Sequence, residues 1–303
     1  KDTNDSVRFK YDEVYKKVTS GTKGRASNVF TQLGMYWQLH LAYDNGYNFK
    51  TYDNYEEQLG NLFFARVDTY ARTPSKAPSP DGVTLTLPGD QDQNLMRLAC
   101  AAAEKNLLEF FERWGMTPNE GTIAYAQQFG EETRAVYYVN DDSRVYRRTH
   151  GVSGLDEAGS TQAVTVESVQ INPVSANQVD LRFSSTIPQE DILGYEVVRC
   201  TRSGGVVQEE VAGFTTTNAF SDHVTTMNNR VVSYKVRVID KYLNQSAPAS
   251  SGEVKIQHDG SIDKSNWTVS TNDLTAAAED TKKTRNGIGT GSESNEELGS
   301  GMG

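Results

Sequence analysis

Histidines are the residues best suited to chemistry in this sequence, and four are present, at positions 40, 150, 223 and 258. A zinc hydrolase of the common helical type needs two histidines four residues apart with a glutamate between them, so that both rings face one metal ion. That pattern is absent from the sequence. Its nearest approach is His40-Leu41-Ala42-Tyr43-Asp44, where an aspartate replaces the second histidine and a leucine replaces the glutamate. We therefore expect His40 to lie on a helix face beside a hydrogen-bond partner rather than to bind a metal ion.

Other reactive patterns are also incomplete. Cys100 lies in an alanine-rich stretch without a neighbouring base, which is typical of an inert buried thiol. With Cys200 as the only other cysteine, the sequence favours two buried or idle thiols over a disulfide framework. Neither Asp44-Asn45-Gly46 nor Asp141-Asp142 has the alternating acidic spacing of a calcium loop, and both are interpreted as turns. The residues taken alone therefore predict no self-sufficient catalytic set.

Composition excludes two classes of partner. The 303 residues carry 30 basic and 40 acidic side chains, a net charge of −10, and no basic run longer than a pair. Nucleic-acid binding depends on clustered Lys and Arg that neutralise phosphates, so we expect no nucleic-acid partner. A bilayer span needs about 20 consecutive apolar residues, and no such stretch occurs, so we expect no membrane span. Because the chain begins without Met or an apolar signal core, we interpret it as a piece of a longer protein.

The first half of the chain has helical periodicity. Within residues 25–44 apolar residues recur at steps of three and four, which predicts a helix with one apolar face: Val29, Leu33, Tyr36, Trp37 and Leu41. A second, less regular helix is predicted for residues 55–72. The Pro- and Gly-rich loop that follows alternates apolar residues at 83, 85 and 87, so a short hairpin arm is as consistent with the sequence as an irregular loop.

The stretch NLLEFFERWG, residues 106–115, concentrates large apolar residues at helical spacing. We interpret it as the last two turns of a helix capped by Asp90 or Asp92, with one continuous apolar stripe from Met96 to Trp114. Gly115 supplies the left-handed residue that commonly closes a helix. The next four residues, 117–120, read Thr-Pro-Asn-Glu and predict a new helix capped by the threonine hydroxyl.

Beyond residue 151 the periodicity changes to that of strands. Short, mostly alternating, Val-rich runs are separated by Asn, Pro, Gly and Ser, and about seven of them fit a β-sandwich. Residues 164–258 resemble a fibronectin type III domain, most clearly at 195–197 and 234–240. The predicted fold class is therefore multidomain, with a mainly α-helical lobe (1–155), a linker (156–163) and an all-β immunoglobulin-like sandwich (164–258).

The remaining residues, 259–303, are rich in Gly, Ser, Thr and acidic side chains and contain almost no large apolar residue after Trp267. Such a segment buries too little apolar surface to offset its ordering entropy, so we expect a flexible tail. Residues 261–268 resemble the opening strand of discoidin-like carbohydrate-binding modules. The resemblance implies the start of a truncated module of that kind.

Residues 26–148 together resemble the C-terminal half of the enhancin-like, mucin-degrading zinc metallopeptidases (peptidase family M60). The resemblance is carried by the order and spacing of three segments: 29–39 (VFTQLGMYWQL), 106–115 (NLLEFFERWG) and 137–142 (YYVNDD), with Tyr146-Arg147 after them. Members of the family carry a His-Glu-x-x-His helix and a downstream glutamate, which lie before the part matched. The resemblance therefore implies no catalytic and no metal-binding residue in this chain.

The same resemblance implies a function for the parent protein. It would be a zinc enzyme, secreted or attached to the surface of a bacterium, that cleaves mucin-type O-glycoproteins. We then expect this chain to be a non-catalytic C-terminal portion, without cofactor and inactive alone, with the sandwich as spacer. Its partners would be the missing N-terminal catalytic lobe and mucin-type glycoproteins or glycans. The alternative is a bacterial surface adhesion or glycan-binding protein without catalysis.

Three residues of the helical lobe are candidates for supporting the substrate cleft: Trp37, His40 and Trp114. In a two-lobed metallopeptidase the helical lobe forms one wall of the cleft, and the helix ending in Trp114-Gly115 would hold that wall in place. This hypothesis predicts an uncovered apolar patch on residues 1–150, where the rest of the enzyme would pack.

Overall fold

The computed structural model describes residues 11–20, 29–44, 62–152, 155, 164–172, 177–224 and 230–256. Within these ranges the chain forms helices up to residue 149 and antiparallel strands from residue 164 onward. The predicted succession of helices and then strands is confirmed at this level. Among the described residues, no helix is long and apolar enough to cross a membrane.

The helical part contains seven α-helices within the described ranges. Their bounds are α1 Tyr11–Thr19, α2 Val29–Tyr43, α3 Phe63–Arg72, α4 Gln91–Ala103, α5 Leu108–Arg113, α6 Glu120–Ala126 and α7 Asp141–Thr149. A short 3-10 helix, Val136–Tyr138, lies between α6 and α7 and is fully buried. Around it the helices share one apolar core.

The prediction of one continuous helix up to Trp114 is wrong. The helix α4 starts as predicted, since the Asp90 carboxylate accepts hydrogen bonds from the first-turn amides of residues 92 and 93. It ends after Ala103, because Glu104 adopts a left-handed conformation with φ of 51°. The separate helix α5 then begins at Leu108, whose amide donates a hydrogen bond to the Asn106 side chain at 3.1 Å. The apolar residues on both sides of this break still face the same core.

One open alternative in this region is decided, and one smaller prediction is corrected. No strand forms at residues 83–87, so the hairpin arm is absent from this described stretch. The helix after Gly115 is capped by Asn119, whose side chain accepts from the Thr122 amide, and not by Thr117. Gly115 itself has φ of 77°, as predicted for the residue that closes a helix.

The helix α2 has apolar residues on two of its faces. The face that packs into the core consists of Met35, Gln38, Leu39, Ala42 and their neighbours. The predicted apolar face behaves differently, since Val29 and Leu33 at its start are 68% and 50% exposed. Periodicity therefore located the helix but not the side that faces the core.

The strands form two antiparallel sheets that share a second apolar core. Their bounds are β1 Val164–Ile171, β2 Gln178–Ser185, β3 Ile192–Ser203, β4 Val206–Thr215, β5 Ala219–His223, β6 Arg230–Asp240, β7 Ala249–Ser250 and β8 Val254–Ile256. One sheet has the order β1-β2-β5. The other has the order β4-β3-β6-β7, with β8 also paired to β6. Whether these sheets are of the fibronectin type III kind stays a prediction.

Helices and sheets meet in a contact that contains a buried charge. Glu196 of β3 is 1% exposed and accepts hydrogen bonds from Arg113 of α5 at 3.0 Å and from the Tyr138 hydroxyl at 2.7 Å. Beside it the Phe214 ring of β4 stacks on the Tyr138 ring, with centroids 4.1 Å apart. The Ala135 amide also donates to the carbonyl of residue 243 at 2.9 Å. Residues 1–257 accordingly form one compact unit.

The predicted domain boundaries, 1–155 and 164–258, stay predictions, although the parts on either side of them share apolar contacts. The predicted linker (156–163) and tail (259–303) lie outside the described residues, as does the truncated module. Both cysteines are buried and free, as predicted.

Candidate functional site

His40 is held in one orientation by two neighbours on its own helix. Its Nδ1 atom lies 2.7 Å from Oδ2 of Asp44, one helical turn later. The ring of Trp37, one turn earlier, stacks against the imidazole with centroids 4.8 Å apart and planes 29° from parallel. The His40 side chain remains 29% exposed, whereas that of Asp44 is 10% exposed. The result is a fixed imidazole that still reaches the surface.

This arrangement determines what each ring nitrogen can do. An ionised carboxylate only accepts hydrogen bonds, so the proton of the neutral ring lies on Nδ1. Nε2 then carries a lone pair and makes no hydrogen bond with any described residue. A neutral ring can accept a hydrogen bond or a proton at Nε2, and a protonated ring can donate one there. The expected hydrogen-bond partner of His40 is thus present, and it is the aspartate of the incomplete zinc pattern.

Trp37 connects this histidine to a second carboxylate. Its indole Nε1 donates to Oδ2 of Asp141, at the start of α7, over 3.2 Å. The hydroxyl of Tyr11 in α1 donates to the same oxygen. Burial, and next the hydrogen bond to Asp141, raise the pKa of that tyrosine, so it remains a donor at all ordinary pH values. Asp141 thereby fixes the indole that stacks on His40.

Trp114 lies on the opposite, buried side of α2. It is 2% exposed, and its Nε1 donates to Oε1 of Gln38 at 3.0 Å. The Gln38 amide donates in turn to the carbonyl of Tyr137 at 2.7 Å. The structure thus brings two of the predicted site residues together, Trp37 with His40, and places the third behind the helix. The role of all three as cleft support stays a prediction.

An uncovered apolar patch is present on α2. It consists of Val29, Phe30 and Leu33, which are 68%, 67% and 50% exposed. Leu33 and His40 are seven residues apart, so they lie on the same face of the helix about 10 Å from one another. A patch of this kind is expected from the sequence within residues 1–150. The observed patch lies on the same helix as the His40–Asp44 pair.

The described residues do not fit a zinc ion. No group of three His, Cys, Asp or Glu side chains among them converges as a metal site would require. His40 has only one carboxylate beside it, and that carboxylate contacts Nδ1. We therefore derive no step of a reaction through a metal ion.

An acidic groove between α1, α5 and β4 is the other concave feature that we considered. It has a volume of about 490 Å³ and is lined by four glutamates at positions 109, 112, 209 and 210. Three of them are paired with basic side chains: Glu109 with Arg113, Glu209 with Lys235 and Glu210 with Arg199. Partial burial, and next the charge of Glu109, raise the pKa of Glu112. Because three of its four glutamates are already paired with basic side chains, we interpret the groove as a set of ion pairs rather than as a cation site.

A family model matches the part of the chain that contains the His40–Asp44 pair. Residues 4–115 match the family model described as Peptidase M60, enhancin and enhancin-like. No curated protein matches the chain. The matched range includes α1 to α5, Trp37, Trp114 and the His40–Asp44 pair.

Several solved structures of Clostridium perfringens proteins are similar to the chain. The M60 catalytic domain of ZmpC, in complex with the sialyl T antigen, is 21% identical with a TM-score of 0.47, over 79% of this chain and 40% of that one. The ZmpB metallopeptidase is 22% identical with a TM-score of 0.46, over 80% and 39%. The catalytic module of the metalloprotease ZmpA is 19% identical with a TM-score of 0.46, over 79% and 38%. The chain thus spans about 40% of the length of each of these three structures.

The prediction that this chain is a separate, non-catalytic C-terminal portion is wrong. Residues 4–115 match the family model of the peptidase itself. The error came from equating the missing His-Glu-x-x-His motif with a missing catalytic domain. A catalytic domain also contains the helices that surround its motif, so the absence of the motif from a sequence does not place its other residues outside that domain. Catalysis is therefore not excluded.

Only part of this site has a signal in the sequence. Asp44 lies one helical turn after His40, and Trp37 lies one turn before it. Asp141 has no such signal, because it is 104 residues from Trp37 and 130 residues from Tyr11 and meets both only in the folded chain.

Proposed function

We propose that this chain is part of the catalytic domain of a metallopeptidase that hydrolyses peptide bonds in mucin-type, O-glycosylated proteins. One observation carries the proposal, the match of residues 4–115 to the M60 peptidase family. The fixed and partly exposed imidazole of His40 supports it, because oriented histidines with a free ring nitrogen serve hydrolytic reactions as hydrogen-bonding or proton-transfer groups.

Cofactor, substrate and location belong to the same proposal. Members of the M60 family are zinc enzymes, so we propose zinc as the metal of the complete site, although the described residues do not supply its ligands. The substrate class is a protein that carries O-linked glycans. The protein would be secreted or attached to the surface of a bacterium.

We further propose that the apolar patch of α2 packs against other parts of the same catalytic domain. The chain spans 40% of the ZmpC catalytic domain, so a complete domain of that kind contains residues that this chain does not match. Exposed Val29 and Leu33 would be covered by them, which removes apolar surface from water. A Leu33→Lys variant should then unfold at a lower temperature in the complete protein and at an unchanged temperature in the 303-residue chain. Equal behaviour in both would contradict this contact.

The test of the proposed function is proteolysis of a defined glycoprotein. The chain, with whatever residues its gene encodes on either side, is incubated with an O-glycosylated mucin fragment and with the same fragment after enzymatic removal of its glycans. New amino termini are then quantified. We expect cleavage of the glycosylated fragment that stops when a metal chelator is added and returns with zinc.

Two results would overturn the proposal. The first is the absence of new amino termini from either fragment at high protein concentration. The second is cleavage that the chelator leaves unchanged, which would indicate a peptidase of another class. Preferential cleavage of the fragment without glycans would remove the mucin-type substrate but leave peptide hydrolysis in place.

A further inference from the structure

We propose that His40 contacts the substrate through Nε2, where it accepts a hydrogen bond, and that Asp44 holds the ring in the tautomer that this contact needs. This inference rests on the proposed peptidase function and assigns it a substrate-binding residue. The group bound is a hydrogen-bond donor of the glycopeptide, either a backbone N–H or a sugar hydroxyl.

The first argument is the stability cost of the pair. Asp44 is 90% buried at its side chain, and its Oδ1 atom is buried without a hydrogen-bond partner in the described part of the chain. A buried carboxylate oxygen without a partner costs free energy, and a helix-surface histidine does not need a buried carboxylate to be stable. The charge of Asp44 attracts Arg144, whose guanidinium donates to the Asp44 backbone carbonyl at 3.1 Å, but Oδ1 still has no hydrogen bond. The pair therefore fixes the ring while it keeps one buried oxygen unsatisfied, and binding sites are built on side chains held in this way.

The second argument is the direction of the free nitrogen. Asp44 contacts Nδ1, and Trp37 covers one face of the ring. Nε2 is thus the ring nitrogen that neither neighbour occupies, and the His40 side chain is 29% exposed. A hydrogen-bond donor of a substrate is the kind of group that this nitrogen can bind.

His150 provides a matched comparison within the same chain. Its ring also stacks on an aromatic residue, Tyr146, with centroids 4.0 Å apart, and its Nδ1 lies 2.8 Å from a backbone carbonyl one turn earlier. It has no carboxylate partner in the described residues, and it lies outside the range that matches the peptidase family. The two histidines thus share stacking and local hydrogen bonding but differ in the feature that the inference uses.

The experiment exploits the different reach of two amide side chains. The amide of Gln can occupy the position of Nε2, whereas the amide of Asn can occupy the position of Nδ1. If His40 acts through Nε2, His40→Gln should retain more activity than His40→Asn. A purely structural role through the contact with Asp44 predicts the reverse order.

Cleavage of a synthetic glycopeptide measures this order. The probe is a Thr- and Pro-rich peptide with N-acetylgalactosamine on one threonine, and the same peptide without the sugar separates a hydroxyl contact from a backbone contact. Losing one substrate hydrogen bond should lower kcat/KM about tenfold in His40→Asn. His40→Gln should lose less, and His150→Asn should equal the unmodified protein.

A second measurement does not depend on activity. Nitrogen-15 NMR of the deprotonated rings should show the proton of His40 on Nδ1. In Asp44→Asn the amide can donate to Nδ1, so the proton should move to Nε2, while the tautomer of His150 stays unchanged. Adding the glycopeptide should shift the ring resonances of His40 and leave those of His150 in place.

These outcomes separate the two proposals. If the glycopeptide is not cleaved but shifts the His40 resonances, the peptidase function fails and the binding role stands. If the glycopeptide is cleaved but His40→Asn is as active as the unmodified protein or more active than His40→Gln, the inference is overturned. It is also overturned if the probe leaves the His40 resonances unchanged.

Discussion

Removing the buried carboxylate of Glu196 should destabilise the helices and the sheets together. In Glu196→Ala the Arg113 guanidinium, whose side chain is 18% exposed, loses its closest counter-charge, and the buried Tyr138 hydroxyl loses its acceptor. Burial lowers the pKa of Arg113, but Glu196, together with Tyr137, Tyr138 and Glu109, more than offsets it, so the pKa is raised. Breaking a buried pair costs about 3–5 kcal/mol.

The lower end of that range is expected here, because Arg113 keeps weaker contacts with Glu109 at 3.5 Å and with the Tyr137 hydroxyl at 3.4 Å. We therefore expect a loss of about 3 kcal/mol in the free energy of unfolding. For a unit of this size that corresponds to a fall in Tm of about 6–12 °C. Glu196→Gln keeps an acceptor of the same shape and should lose only about 1 kcal/mol, the difference between a charged and a neutral hydrogen bond.

The assay is urea unfolding followed by two probes, tryptophan fluorescence for the helices and far-ultraviolet circular dichroism for the whole chain. The matched control is Glu253→Ala, which removes a glutamate paired with Arg202 where both side chains are about half exposed. Exposed pairs contribute about 1 kcal/mol or less. If Glu196→Ala costs no more than this control, the reasoning is refuted. If the circular-dichroism transition shifts while the fluorescence transition stays in place, the helices and the sheets do not unfold as one unit.

Two further predictions concern buried side chains of the helical core. Trp114→Phe leaves Oε1 of Gln38 buried without its donor and should cost about 2 kcal/mol or more, measured by the same urea unfolding. A loss below about 0.5 kcal/mol would mean that this hydrogen bond contributes nothing net. Burial raises the pKa of the Cys100 thiol to about 12, so in a Cys200→Ser background only about one molecule in ten thousand carries the thiolate at pH 8. The native protein should then fail to react with a disulfide reagent over hours and react fully in urea, whereas rapid native labelling would contradict the assigned burial.

Local sequence signals predicted the elements that are stabilised locally. Gly115 is needed for a positive φ, which predicts a helix end there. Asp90 is a short acceptor placed before an apolar run, which predicts the start of α4. The run at residues 234–240, which is part of the strand periodicity in the sequence, lies in β6, where alternate residues face the shared core. In each case the energy that fixes the element comes from residues close in sequence or from a simple period.

Contacts between distant residues were beyond such signals. The break after α4 occurs at Glu104, which has a positive φ that this residue type rarely adopts. The apolar pattern continues through the break, so neither residue type nor periodicity marks it in the sequence. Arg113 and Glu196 are 83 residues apart, and nothing in either segment marks the other as its partner. For the candidate site, the neighbours of His40 on its own helix could be predicted, whereas the support of Trp37 by Asp141 could not.

The helix α2 explains why both the fold and the function of this region were hard to infer. Its buried side includes Gln38, which is 0% exposed but has both ends of its amide hydrogen-bonded, so a polar residue is stable in the core. Its other side presents Leu33 and the apolar residues before it to solvent. A helix that is apolar on two faces gives little periodic signal for either face. An apolar face that stays exposed in a compact unit commonly marks a surface that another part of a protein covers. The exposed face thus becomes informative only when it is considered together with the His40–Asp44 pair at its end, where a costly polar arrangement and uncovered apolar surface occur on one helix.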